Sequence, residues 1–176
     1  MYTKCNLALL LWRRQDAPGA IRIFCDATAA DPWCAYAHKQ LGFHLLQVRD
    51  AKGAMIALRR AIAVDPRSPS VKRDERDMRM DDDADLQSQA QFFLGDALQH
   101  LGDPKGAVAA YKASIEDNPK FIDAHMRIAD VLQTTFSDLA GASRCLVTAL
   151  KLNPDNQQLK KALANVLALM RKERKD

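Results

Sequence analysis

The chain has 176 residues, of which 48% are apolar, 27% charged and 6% aromatic, and it carries a formal charge of +4. This is a globular composition with enough length to bury a core. It excludes a disordered chain, a collagen-like rod and a membrane bundle, since no apolar run approaches the roughly 18 residues a membrane helix needs. The charge lies in the tail, where Lys160 to Asp176 holds six basic residues and two acids, so it does not report a basic face of nucleic-acid-binding size.

The first predicted element is a helix over the stretch from Asn6 to Trp12, followed by Arg13 and Arg14. Its apolar part is short, its basic flank follows instead of leading, and no A-x-A cleavage site is present, so it is not read as a signal peptide. A polar turn, Asp16 to Gly19, leads to a second helix that Pro32 closes. The same sequence of helix, turn and helix then recurs, with turns at Arg49 to Gly53, Gly102 to Gly106 and Phe136 to Gly141. Amphipathic spacing marks each helix, at about a dozen residues apiece. A last amphipathic helix, Gln157 to Arg174, carries Leu159, Leu163, Val166, Leu167 and Met170 and suits an outer cap.

The recurrence is a true internal repeat. Pro32 and Pro66 stand 34 residues apart, and Pro119 and Pro154 stand 35 apart. Twelve residues before each proline is a small residue: Ala20, Ala54, Ala107 and Ala142. Eight before is a large one: Phe24, Leu58, Tyr111 and Leu146. Five before is small again: Ala27, Ala61, Ser114 and Ala149. In the first helix of each unit, Leu7, Leu41, Leu94 and Ile128 align, beside Ala8, Gly42, Gly95 and Ala129. Small residues let two backbones approach and the large one fills the space between them, while the proline ends a helix because it cannot donate to the preceding turn. The expected units are 1–34, 35–68, 88–121 and 122–156, with 69–87 inserted and 157–176 closing.

These columns resemble the tetratricopeptide repeat family, matching at Leu41-Gly42, Ala54, Leu58, Ala61 and Pro66 and again at Leu94-Gly95, Ala107, Tyr111 and Pro119. Two features depart from it. The family's early tryptophan position holds Lys4, His38, Gln91 and His125, and the fourth unit has one extra residue in its inter-helix turn. The resemblance implies an all-α, right-handed solenoid of stacked antiparallel helix pairs, each unit relying on its neighbours for burial. It also implies a concave groove, lined by the first helices, that binds a protein or peptide.

At the groove positions stand Tyr2, Cys5, Leu9 and Trp12 in the first unit and Tyr36, Lys39, Phe43 and Leu46 in the second. The third unit gives Gln89, Phe92, Asp96 and Gln99, and the fourth Asp123, Met126, Asp130 and Gln133, with Arg127 beside them. One half is apolar and aromatic and the other acidic, which suits a ligand with apolar anchors and a basic segment. With a register good to about one residue, the alternative is that Tyr2, Leu9, Trp12, Phe43 and Phe92 are ordinary inter-repeat core. Family members that grip a chaperone's C-terminal carboxylate use lysine, asparagine, asparagine, lysine and arginine, where this chain has Lys39, Phe43, Phe93, Asp123 and Arg127. An aspartate facing a carboxylate repels it, so that ligand is not expected. The asparagine ladder of the family's glycosyltransferases is also missing, its column reading Asn6, Gln40, Phe93 and Arg127.

No catalytic motif is found: the four histidines are scattered and there is no phosphate-binding glycine loop, G-x-S-x-G or H-E-x-x-H. No cofactor is implied. The cysteines Cys5, Cys25, Cys34 and Cys145 form no C-x-x-C pair and have no histidine at ligand spacing. They read as small apolar residues of a cytoplasmic or nuclear protein, with no metal. The insert, with Lys72 to Asp77 and Asp81 to Asp83, reads as a solvated charged loop or helix extension, without the glycine and glutamate of a calcium site.

The expectation is therefore a non-catalytic interaction scaffold, with no membrane contact and with docking or further repeats at its N-terminal end. Two rivals stand beside it. Asp31 to Tyr36 leading into Leu41-Gly42 is similar to the long repeat scaffold of the superkiller RNA-decay complex, which would make the chain a segment of such an array. The basic C-terminal helix could instead bind RNA directly, although a solvated helix face accounts for its charge.

Overall fold

The computed structural model describes residues 2–64 and 83–173. Among these residues there are nine helices and no strand: α1 (Tyr2–Arg13), α2 (Ala17–Ala30), α3 (Ala35–Gln47), α4 (Ala51–Ala63), α5 (Asp83–His100), α6 (Pro104–Asp117), α7 (Ile122–Thr134), α8 (Leu139–Leu152) and α9 (Gln157–Glu173). Each packs on the next in chain order, and α3 also touches α5. The result is an all-α stack of helix pairs, with α1, α3, α5 and α7 in one layer.

The turn inside each pair is built the same way four times. Asp16, Asp50, Asp103 and Asp138 are N-caps whose carboxylates accept from the amides of Gly19, Gly53, Gly106 and Gly141 at 2.7 to 2.9 Å. A β-carbon on those glycines would collide with the capping carboxylate. The residue before each aspartate, Gln15, Arg49, Gly102 or Ser137, has φ between 53° and 79°, which reverses the chain at the helix end. The loop closes when the aspartate amide donates to Leu11, Leu45, Leu98 or Leu132, at 2.9 to 3.0 Å. In the fourth turn the extra residue lengthens that loop and leaves the closing leucine column unchanged.

Packing follows the repeat columns. Ala20, Ala54, Ala107 and Ala142 are fully buried, as are Ala27, Ala61, Ser114 and Ala149. Phe24, Leu58, Tyr111 and Leu146 are at most 2% exposed. Leu58 lies against Gly42 and the Tyr111 ring against Gly95, each where a β-carbon would stand. The core runs through the stack as three clusters, centred on α1 to α3, on α4 to α7, and on α8 with α9.

The early tryptophan position has a different use here. His38 and His125 are buried, and His38 Nε2 sits 3.1 Å from the carbonyl oxygen of Pro32. A smaller ring thus ties down the loop between units, and burial holds both imidazoles below the usual histidine pKa.

One boundary differs from expectation. Residues 83–87, read as part of the charged insert, form the first turns of α5; the rest of the insert lies outside the described residues. Leu86 packs against the first core cluster and the Gln87 amide donates to the Ile62 carbonyl at 3.0 Å. That bond satisfies one of the carbonyls left open at the end of α4. Tertiary contacts recruit these residues into helix, which their charge alone does not signal.

Candidate protein-interaction groove

The groove residues divide by burial. Tyr36 and Lys39 on α3 and Phe92 on α5 are 9%, 3% and 8% exposed, so they form part of the wall between units. Lys39 Nζ donates to Gln89 Oε1 at 2.8 Å and stands 5.3 Å from the centre of the Tyr36 ring. Phe92 lies 5.1 to 5.6 Å from the rings of Phe93, Tyr111 and Phe121. Phe43, Leu46, Gln89, Asp96, Gln99 and Met126 are half-buried, and Asp123, Arg127 and Asp130 are exposed.

At the α1 to α5 end the half-buried side chains are aromatic. Trp12 meets the edge of His44 at 4.5 Å, Phe43 meets His44 at 5.1 Å, and Phe43 meets Phe93 at 4.9 Å. His44 is itself 2% exposed and also lies 4.8 Å from Phe24. Its Nδ1 donates to the Gln40 carbonyl at 2.7 Å, and desolvation lowers its pKa despite that bond. A neutral imidazole thus joins the core of the first unit to the aromatic surface above it. Phe93, adjacent to the expected Phe92, is the half-buried member of the pair. Neighbouring helical residues point about 100° apart, so only one of the two could face outward.

At the α5 to α7 end the chemistry is ionic. The Tyr111 hydroxyl donates to Asp96 Oδ1 at 2.7 Å and its oxygen lies 3.1 Å from Gln99 Oε1. Arg127 Nε is 3.3 Å from the same Asp96 oxygen, and its guanidinium stands 5.9 Å from the Phe92 ring centre. Burial raises the Asp96 pKa, against the pull of the Tyr111 bond and of Arg127. The Tyr111 phenol is pushed far up by burial and by Asp96, and therefore remains a donor. Asp123 and Asp130 flank Arg127 on the exposed side of α7. Beyond them, a cleft of about 350 Å³ opens among Gln133, Thr134, Ser137, Leu139 and Leu169.

Among the described residues no group of three or more His, Cys, Asp or Glu side chains could hold a metal, and the four cysteines are free thiols. Burial raises the pKa of Cys5, to about 11, which leaves it protonated and inert as a nucleophile. No described helix is long and apolar enough to cross a membrane.

The fold and its layered first helices define a helical-repeat protein. The tetratricopeptide repeat family model matches residues 5–69 and 79–132, and the chain belongs to that family. Solved structures agree on the fold. MamA protein superimposes with a TM-score of 0.74 at 16% identity, covering 94% of this chain and 79% of its own. The Cut9–Hcn1 hetero-tetramer of the APC/C gives 0.74 at 15% identity, over 93% of this chain and 29% of that one. YrrB, described as a tetratricopeptide repeat protein with an unusual peptide-binding site, gives 0.66 at 17% identity, over 96% and 76%. At such identities the likeness speaks for the fold alone. No curated protein matches the sequence closely enough to count as a relative.

Proposed function

We propose that this protein is a non-catalytic scaffold that holds a segment of a partner protein along the layer of α1, α3, α5 and α7. The observation that carries this reading is the division of that layer. Trp12, Phe43, Leu46 and Phe93 offer partly open apolar surface at one end, suited to the large side chains that dominate binding energy. Exposed Asp123 and Asp130 lie at the other, where Asp96 is already engaged by Tyr111 and Arg127. A ligand with aromatic or aliphatic anchors on one side and lysine or arginine on the other complements both. The same carboxylates disfavour a ligand ending in a free carboxylate. A displayed random-peptide library selected on the protein tests this. Enriched sequences should pair apolar with basic residues, and lose at least tenfold in affinity when Trp12→Ala and Phe43→Ala are combined. Peptides that bind wild type and double variant alike would refute the groove assignment.

A further inference from the structure

The repeat allows each face of a first helix to be compared four times. In α3, α5 and α7 one stripe packs against the second helix of the preceding pair, that is α2, α4 and α6. Its positions are Ala37, Leu41 and His44; Ala90, Leu94 and Ala97; and Ala124, Ile128 and Val131, all at most 9% exposed. The equivalent stripe of α1 is Thr3, Leu7 and Leu10, with Leu7 47% and Leu10 54% exposed. Two adjacent leucines thus lie open on a face that is helix-covered in every other unit. The three covered examples also define the covering shape, an α-helix laid along the stripe.

The rim of this face differs from the internal junctions. Where α3, α5 and α7 are followed by Val48, Leu101 and Thr135, α1 is followed by Arg14, and Lys4 and Arg13 stand at the edges of the stripe. All three cations are exposed, and α1 carries no acid. Together they give the open face a basic rim. They also disfavour a second copy stacked end to end, because the outer helix α9 exposes Lys160, Lys161, Arg171 and Lys172. Like-charged ends repel.

We infer that the Leu7–Leu10 face of α1 docks an amphipathic helix with acidic flanks, supplied by a partner protein. The partner's apolar ridge covers the two leucines, and its carboxylates meet Lys4, Arg13 and Arg14. This inference is independent of the groove. The test uses a stapled 14-residue peptide with the sequence of α6, the helix that covers the same stripe in the fourth unit. One form carries Lys105→Glu and Lys112→Glu, the other Glu116→Lys and Asp117→Lys, with the apolar face unchanged. Titrated at low salt, the acidic form should bind at least tenfold more tightly than the basic one. Combining Leu7→Ser with Leu10→Ser should abolish that binding at unchanged thermal stability, while Phe43→Ser should leave it intact. Absent binding, equal affinity for both peptides, or insensitivity to the leucine changes would overturn the proposal. So would a dimer of this chain, seen by sedimentation, that the leucine changes dissociate.

Discussion

Removing one oxygen from the interior tests the ionic end of the groove. In Tyr111→Phe the ring keeps its place against Gly95 and Phe92, but Asp96 loses the hydroxyl that donates to it at 2.7 Å. The Asp96 side chain is 16% exposed, so water replaces the donor only in part. A hydrogen bond to a charged group contributes about 1.5–3 kcal/mol, and the loss should fall in that range near pH 7.5. For a chain of this length that corresponds to a fall in Tm of roughly 4–10 °C. The pH dependence separates this cause from simple loss of packing. Asp96 has a raised pKa in the fold, so the native state holds its proton more tightly than the unfolded chain, and its cost to stability grows as pH rises through the native pKa. Without the hydroxyl the native pKa climbs further, and the difference between variant and wild type should be largest above it. Below it the carboxyl is neutral in both proteins and the difference should shrink. Urea unfolding followed by circular dichroism at about pH 3.5, below even the ordinary carboxylate pKa, and at pH 7.5 measures this, with a check that the m-value is shared, since repeat stacks can unfold in parts. An equal loss at both pH values, or a loss under about 0.5 kcal/mol at pH 7.5, would refute the reasoning.

Gly95→Ala places a methyl into the Tyr111 ring, which is fully buried and cannot move aside. It should cost about 1–3 kcal/mol in denaturant melts, and a neutral result would mean that α5 and α6 can slide apart. Phe92→Ala should cost about 3–5 kcal/mol because it empties a buried site, whereas Phe43→Ala, half-buried, should cost visibly less; equal losses would place Phe43 in the core. His38, His44 and His125 all have pKa values lowered by burial, so the unfolded chain takes up protons first as pH falls. Stability should therefore be full above the ordinary histidine pKa of about 6.5 and decline below it. His44→Gln should flatten that decline if His44 contributes to it.

The fold was legible in the sequence because its determinants are local and repeated. Small residues at Ala54, Ala61 and Gly42 around large Leu58 admit one arrangement of two helices, and the Asp50 to Gly53 turn closes it. The same logic held for Gly95 with Tyr111. The start of α5 was legible only as a choice between loop and helix extension, because Leu86 and Gln87 join the helix through contacts with the core and with Ile62, whose effect no local pattern records. The candidate groove could be given only as a set of positions. Lys39 and Phe92, expected to line the groove, are buried, because α3 approaches α5 closely enough for Lys39 to reach Gln89 and Phe121 packs on Phe92. Whether a first-helix residue is wall or surface depends on the distance between the first helices of successive units, which a one-dimensional column does not contain.

This dependence bears on how a ligand would be read. Phe43 touches both His44, which packs on Phe24 of the first core cluster, and Phe93, which touches Phe92 in the second. The apolar surface is therefore the outer edge of the contact that joins two units and is not laid over it. A ligand seated on Phe43 and Phe93 would bridge the α3–α5 junction and favour the packed arrangement over any in which these helices part. Binding and stack stability are then linked: a ligand that engages only the stacked form stabilises it in proportion to its affinity. Mutations at Phe92, though buried, should weaken binding by loosening the platform.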